Sequence, residues 1–279
     1  MDFIHRFVFN AKKNGSELKL LGELRLKHRF DHIAATPSAV DAIGLVSLEI
    51  SESNSFWPIV LEASRDWDAI DQITTKFTKN ELANATYMNL VSSWHHSYPM
   101  PDEDSGYLLL TYDADSGCDK CGIGLRQKAP FRMKAEPKWG KKQILQLNWV
   151  FDEFFVSPEA YEAVFKPFGI RSREVVHHKS EKPLRSILQL ITDSSGTIPL
   201  EIERPFDETC PKCCRGKFHM HSRGFFPKLK GATNEHIFRS TEFFGSGGSA
   251  WRAVIASEKI YQAMIDFDLK GVGFVPLAA

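Results

Sequence analysis

TCPKCCRGKFHMH (residues 209–221) places three cysteines and two histidines within thirteen positions. A C-x-x-C turn brings two thiolates to one side of a tight knuckle, which is half of a tetrahedral metal site. The other half stands upstream in CDKCG (118–122). Cys118, Cys121, Cys210 and Cys213 together would surround one zinc ion. Such a four-thiolate site is closed, with no position for water or substrate, so the zinc is structural. The interval from Cys121 to Cys210 is long for a compact ribbon. It requires an inserted unit that returns the chain to the same place, and residues 149–176 look like that insertion.

Three other readings of the cysteines stay open. A redox dithiol is one, although neither pair opens a helix after a strand. A mixed site with His219 or His221 replacing a cysteine is the second. Unligated reduced thiols are the third. Cys214 follows a candidate ligand directly and reads as a free thiol. His219 and His221 alternate in FHMHS, so on a strand they share one face, where solvent-facing histidines are the commoner case. Cys214, His219 and His221 are therefore the secondary metal candidates.

Composition sets the frame for this site. The chain has 279 residues, 43% hydrophobic and 25% charged. That is enough for one large or two ordinary domains, with a core that a metal supplements rather than replaces. Thirty-five basic residues balance 35 acidic ones. This zero net charge argues against a general attraction to nucleic acid or anionic membrane. No apolar run approaches a membrane span. MDFIHRFVFNAKKNG (1–15) sets Asp2, His5 and Arg6 among its apolar residues and lacks a signal-peptide core, so a soluble cytoplasmic protein is expected. Five cysteines, four of them in C-x-x-C pairs, suit a reducing compartment.

Along the chain, residues 1–105 read as an N-terminal α/β region without a chemical signature, and 106–279 as a zinc-knuckle region. LKLLGELRLKHRF (18–30) is mixed and contains a strand. LVSLEIS (45–51) alternates apolar and polar residues as a half-buried strand does. FWPIVLEA (56–63) reads as another strand, and residues 68–94 contain a helix or two. YPMPDEDSG (98–106) is a linker or exposed loop, and YLLLTYD (107–113) a buried strand. EFFGSGGSAW (242–251) lacks the lysine and hydroxyl residue of a phosphate loop and reads as a flexible turn.

WVFDEFFVSPEAYEAVFKPFGIRSREVV (149–176) and WRAVIASEKIYQAMIDFDLKGVGFVPL (251–277) share a strand–helix–strand plan. Ser157 and Ser257 stand at helix N-caps, Pro158 at a first helical position, and Glu159 and Glu258 at the positive end of the helix dipole. Tyr161 matches Tyr261 and Ala163 matches Ala263. A one-residue slip then aligns Phe168 with Phe267. The expected fold is thus α+β, with mixed sheets, two strand–helix–strand units and a zinc knuckle of four cysteines. The tryptophans and phenylalanines are chiefly core, with the acidic-aromatic WVFDEFF (149–155) as a candidate binding patch.

Chemistry at the metal would need three protein ligands, a water and a nearby acid. The chain has no H-E-x-x-H. CPKC matches half of the zinc-deaminase signature, but His95, His96, His177 and His178 lack a glutamate two positions on. A zinc-dependent hydrolase or nucleotide-modifying enzyme is the alternative function, with His219 or His221 as a ligand. A nucleic-acid-binding zinc protein is a further one, resting on the basic stretches 169–185 and 218–231.

The paired C-x-x-C-G elements and the ending VIASEKIYQAMIDFDLKGVGFVPL (254–277) resemble the bacterial double-CxxCG-motif family, regarded as immunity proteins of toxin systems. The resemblance covers residues 107–279. Cys118, Cys121 and Gly122 match the first motif, and Cys210 and Cys213 the second, where Cys214 replaces the family glycine. That glycine eases a turn at positive φ, so a strained or differently shaped second knuckle is expected. The resemblance implies a non-enzymatic cytoplasmic protein that binds and neutralises a cognate toxin.

Overall fold

The structure, a computed structural model, describes residues 1–12, 15–31, 42–192 and 198–279. The described chain is mixed α+β, mostly sheet with few helices. It divides into two compact units, Met1–Glu81 with His221–Gly224, and Leu82–Met220 with Phe225–Ala279. The proline- and acid-rich stretch 98–106 lies inside the second unit.

The first unit runs β1 (Asp2–Lys12), α1 (Ser16–Glu23), β2 (His28–Asp31), β3 (Ala42–Ser51), α2 (Trp57–Ser64) and β4 (Ile70–Lys76), followed by the single turn α3 (Lys79–Ala83). Its antiparallel sheet has the order β2-β3-β1-β4. Phe7 and Phe9 on β1 and Val46, Leu48 and Ile50 on β3 alternate onto one buried face, as a strand's two-residue period dictates. Leu21 of α1 and Val60 of α2 cover that face. Burying each such side chain contributes about 1.5–3 kcal/mol.

FWPIVLEA, expected as a strand, is α2. Pro58 stands in the first helical turn, where its missing N–H costs nothing, and the buried Val60 and Ser64 lie four apart on one face. Residues 68–94, expected to contain one or two helices, hold one, the short α3, between the strands β4 and β5 (Tyr87–Ser92). The β-branched Ile70, Ile73, Thr74 and Thr75 favour the extended chain. LKLLGELRLKHRF ends α1 and then enters β2.

The second unit continues from β5 through α4 (Tyr107–Thr111), β6 (Tyr112–Asp113), β7 (Arg126–Gln127), β8 (Arg132–Met133), β9 (Ile144–Leu145) and β10 (Phe155–Val156). Next come α5 (Pro158–Ala160), β11 (Ser172–His177), β12 (Pro183–Leu190), β13 (Glu208–Thr209) and β14 (Gly216–Lys217). The chain ends with β15 (Ile237–Phe244), β16 (Trp251–Ser257), α6 (Glu258–Asp266) and β17 (Val272–Pro276). YLLLTYD is not a buried strand. Its first five residues form α4, which buries Tyr107 and Thr111 four apart and leaves Leu109 68% exposed.

Two sheets, β8-β11-β12-β10-β9 and β15-β16-β5-β17, carry this unit. β10 and β11 both pair antiparallel with β12, and β16 and β17 both pair antiparallel with β5. Between β10 and β11 the helical chain passes from α5 into a π turn at Tyr161–Phe165. Ala160, Val164 and Phe165 share one core with Ile260 and Met264 of α6. The Ser157 hydroxyl accepts from the Ala160 N–H at 3.2 Å, the predicted cap. Ser257 makes no such bond; its hydroxyl faces His236 Nδ1 at 3.2 Å. All five strands of the first of these sheets lie in sequence between Cys121 and Cys210.

Candidate metal centre

Each C-x-x-C pair sits in the loop of a very short hairpin. In the first, Tyr112 pairs with Gln127 and Asp113 with Arg126 around Cys118 and Cys121. In the second, Glu208 pairs with Lys217 and Thr209 with Gly216 around Cys210 and Cys213. The two knuckles close with the same hydrogen bonds. Gly122 N–H donates to Cys118 O at 2.8 Å, and Cys214 N–H to Cys210 O at 2.9 Å. Cys118 N–H donates to Ile123 O at 3.0 Å, and Cys210 N–H to Arg215 O at 2.9 Å.

The residue after the second cysteine is left-handed in both knuckles, with φ 74° at Gly122 and 58° at Cys214. The second knuckle therefore keeps the shape of the first, and Cys214 carries the backbone strain that its glycine-less sequence predicts. Gly122 is constrained a second time, since a Cβ there would lie 2.9 Å from Gly248 O.

The ligand atoms of Cys118, Cys121, Cys210 and Cys213 all lie within 4.8 Å of one another. Cys118 and Cys210 sulfurs are 3.9 Å apart, and those of Cys121 and Cys213 3.6 Å. A tetrahedron with Zn–S bonds of about 2.3 Å has edges of about 3.8 Å, so the spacing is compatible with a metal ion such as zinc. A disulfide needs about 2.05 Å, and all five cysteines are free. Both of these contacts run between the knuckles. Cys118, Cys121 and Cys210 are buried and Cys213 is half-buried.

The electrostatics around the sulfurs differ. The Arg215 backbone N–H, followed by its side chain, draws the Cys213 thiol down to about 6. The Cys213 N–H lowers Cys210, whereas burial pushes Cys121 up to about 12. Backbone donors thus favour the thiolate, the ligand form, on the second knuckle. Ionising the buried Cys121 calls for a cation beside it.

Contacts across the site fix the knuckles to each other. Lys212 Nζ bonds both Asp119 carboxylate oxygens at 2.7 and 2.8 Å, and Arg215 Nη2 donates to Ile123 O at 2.6 Å. Lys217 is fully buried and donates to Gly247 O at 2.7 Å and Ser249 O at 3.1 Å, with Glu208 Oε1 at 3.4 Å. The glycine-rich stretch 242–251 is thus the anchored turn between β15 and β16, and its Phe243 and Ala250 pack on the cysteines. Lys217 was not singled out by sequence reasoning. Its signal is nonlocal, because the carbonyls that accept from it stand 30 and 32 residues away. A depression of about 410 Å³, lined in part by Asp115, Cys118, Asp119, Lys212, Cys213 and Arg215, opens beside the site.

The secondary candidates are not brought in. Among the described residues, the group with metal-holding geometry is the four cysteines alone. Cys214 is exposed. His219 is exposed and its N–H donates to Asp207 at 2.8 Å, while His221 Nε2 lies 3.3 Å from Gly224 O.

WVFDEFF divides by role. Asp152 and Glu153 turn inward to Arg239, whose Nη1 and Nη2 lie 3.2 and 2.7 Å from them. Burial raises the Glu153 carboxyl despite that guanidinium. Trp149 is 46% exposed and packs at a tilt, 4.5 Å between ring centroids, on Tyr98, itself 41% exposed. Trp149 also holds φ 67°, a rare conformation for a bulky residue. Phe151, 37% exposed, packs at 4.7 Å on Trp251.

Among the described residues no helix is long and apolar enough to cross a membrane. Compared with known proteins, the chain matches no family model, no curated protein and no solved structure.

Proposed function

We propose that this chain is a non-enzymatic, immunity-type protein of the bacterial cytoplasm that binds and neutralises a cognate toxin. One structural zinc on Cys118, Cys121, Cys210 and Cys213 holds its knuckles together. The observation that carries the non-enzymatic part is the converging quartet of sulfurs. Four thiolates fill a tetrahedral ion and leave it no site for substrate. The resemblance of CDKCG (118–122), of CPKC (210–213) and of residues 254–277 to the double-CxxCG-motif family supports the toxin as partner.

The finer architecture belongs to the same reading. A zinc-knuckle region, 106–279, contains strand–helix–strand units at 149–176 and 251–277 and follows an N-terminal region, 1–105, of unassigned role. Support for paired units comes from β10 and β11 flanking β12 as β16 and β17 flank β5.

The contact surface we assign to the partner is built on the exposed aromatics Tyr98, Trp149 and Phe151. Half-exposed aromatics are the side chains that most often anchor protein interfaces, and a left-handed backbone at Trp149 is strain retained at a functional position. Affinity purification of the chain from its native cells should recover one stoichiometric protein, encoded beside it. Trp149→Ala should weaken that complex at least about tenfold, with the melting temperature of the free chain unchanged. A purified neighbouring toxin that ignores the wild-type chain would sink the proposal.

A further inference from the structure

Outside the cysteine site, a cavity of about 400 Å³ is lined by Met100, Glu103, Lys134, His177, His178 and Lys179. Three backbone segments build it. The loop 98–106 is tied to β8 by the Met100 N–H, which donates to Arg132 O at 2.9 Å. β8 runs parallel to β11, with His177 opposite Met133. The turn after β11 is closed by the His177 N–H to Lys182 O at 2.8 Å and the Glu181 N–H to His177 O at 2.9 Å. The cavity is therefore held by main-chain bonds and is formed before any ligand arrives.

Its lining is rich in donors. The Ser180 N–H donates to His177 Nδ1 at 3.2 Å. A backbone N–H can only donate, so Nδ1 accepts and Nε2 carries the ring hydrogen. His178 Nδ1 is buried without a hydrogen-bond partner among the described residues. A buried, unsatisfied polar atom costs about 1–3 kcal/mol and points to a missing partner. Lys179 makes no ion pair among the described residues. Lys134 reaches only Asp102, at 3.3 Å, in a solvent-exposed pair that contributes little. Against these four stands one lining carboxylate, Glu103. A divalent cation does not fit, since the histidines and Glu103 do not converge as metal ligands among the described residues.

We propose that this cavity binds a small-molecule phosphomonoester. Its three terminal oxygens take up the Lys134 and Lys179 ammonium groups and the His177 Nε2–H, charge-assisted contacts of the strong kind. The buried thioether of Met100 lies against the organic body, and Glu103 accepts from a hydroxyl on it. The volume falls at the small end of ligand pockets. A mononucleotide-sized ester is about the upper limit, and a polyphosphate is disfavoured by Glu103.

The test uses the full chain and two probes, inorganic phosphate and adenosine 5′-monophosphate, each titrated against imidazole resonances assigned to His177 and His178. Both probes should shift those resonances saturably at millimolar concentration, and the ester should bind more tightly than phosphate. Lys134→Ala and Lys179→Ala should each weaken binding about tenfold, with melting curves matching the parent chain. Sodium chloride at equal ionic strength should leave both histidines unmoved. Equal shifts from chloride, no saturation by either probe, or full affinity in both lysine variants would overturn the assignment.

Discussion

Gly122 and Cys214 occupy equivalent places in two congruent knuckles, yet the same backbone angle costs each a different amount. A left-handed conformation costs an L-residue about 1–2 kcal/mol and glycine almost nothing. Cys214 is exposed, so that strain supports no visible contact of its thiol. Cys214→Gly should therefore stabilise the metal-loaded chain by a few tenths to about 1 kcal/mol, after the extra freedom glycine gives the unfolded chain is subtracted. Gly122→Ala should act in the opposite direction and more strongly, by about 2 kcal/mol or more. It adds the same strain and drives a Cβ against Gly248 O, a backbone atom that cannot swing aside. Urea denaturation of the two loaded variants measures both effects. A Cys214→Gly chain that unfolds earlier than its parent would show that the thiol holds something after all.

At the scale of elements, the hairpins β6–β7 and β13–β14 have two-residue ladders, far too short to persist alone in water. They are held by what they pack on, and Lys217 is the clearest tie. Its ammonium is buried and joins β14 to the turn between β15 and β16. Lys217→Met fills nearly the same volume but leaves the Gly247 and Ser249 carbonyls without their donor. It should cost about 2–4 kcal/mol in chemical denaturation, and an effect below 1 kcal/mol would mean that the turn is held by the Gly247 N–H bond to Glu208 and the packing of Phe243 and Ala250 instead. The helical segments teach a related lesson. In the proposed pairing of 149–176 with 251–277 one extra residue falls after Ala163, and the chain makes a π turn at Tyr161–Phe165 where α6 stays regular. A π turn is how a helix absorbs a single surplus residue without shifting its buried face, so Val164 and Phe165 still reach the core shared with Ile260 and Met264.

For the whole molecule, legibility in the sequence follows the range of the interactions. The cysteine quartet, the strand at 45–51 and the cap at Ser157 were readable because spacing or local hydrogen bonding fixes them. The helices at 57–64 and 107–111 were not, because apolar runs of that length suit either geometry until tertiary burial selects a face. The Lys217 tie and the cavity beside His177 join segments distant in sequence, which no local pattern announces. The same distinction of range predicts how the chain responds to metal removal. All four sulfurs belong to the second unit, whereas the first unit's core is built from Phe7, Phe9, Val46, Leu48 and their neighbours without a cysteine. Structural zinc sites contribute on the order of 10 kcal/mol to the fold they close. Without an ion the four sulfurs have nothing to bridge them, burial keeps Cys121 a neutral thiol, and the two hairpins are too short to stand. Hydrogen exchange on chelated protein should then show residues 112–127 and 208–217 losing protection by several orders of magnitude, while β1 and β3 keep theirs. Cys213→Ser should reproduce that pattern without chelator. Unchanged protection in both hairpins after full metal loss would mean that packing by Ile123, Phe243 and Ala250 closes the knuckles, and that the sulfurs converge without holding an ion.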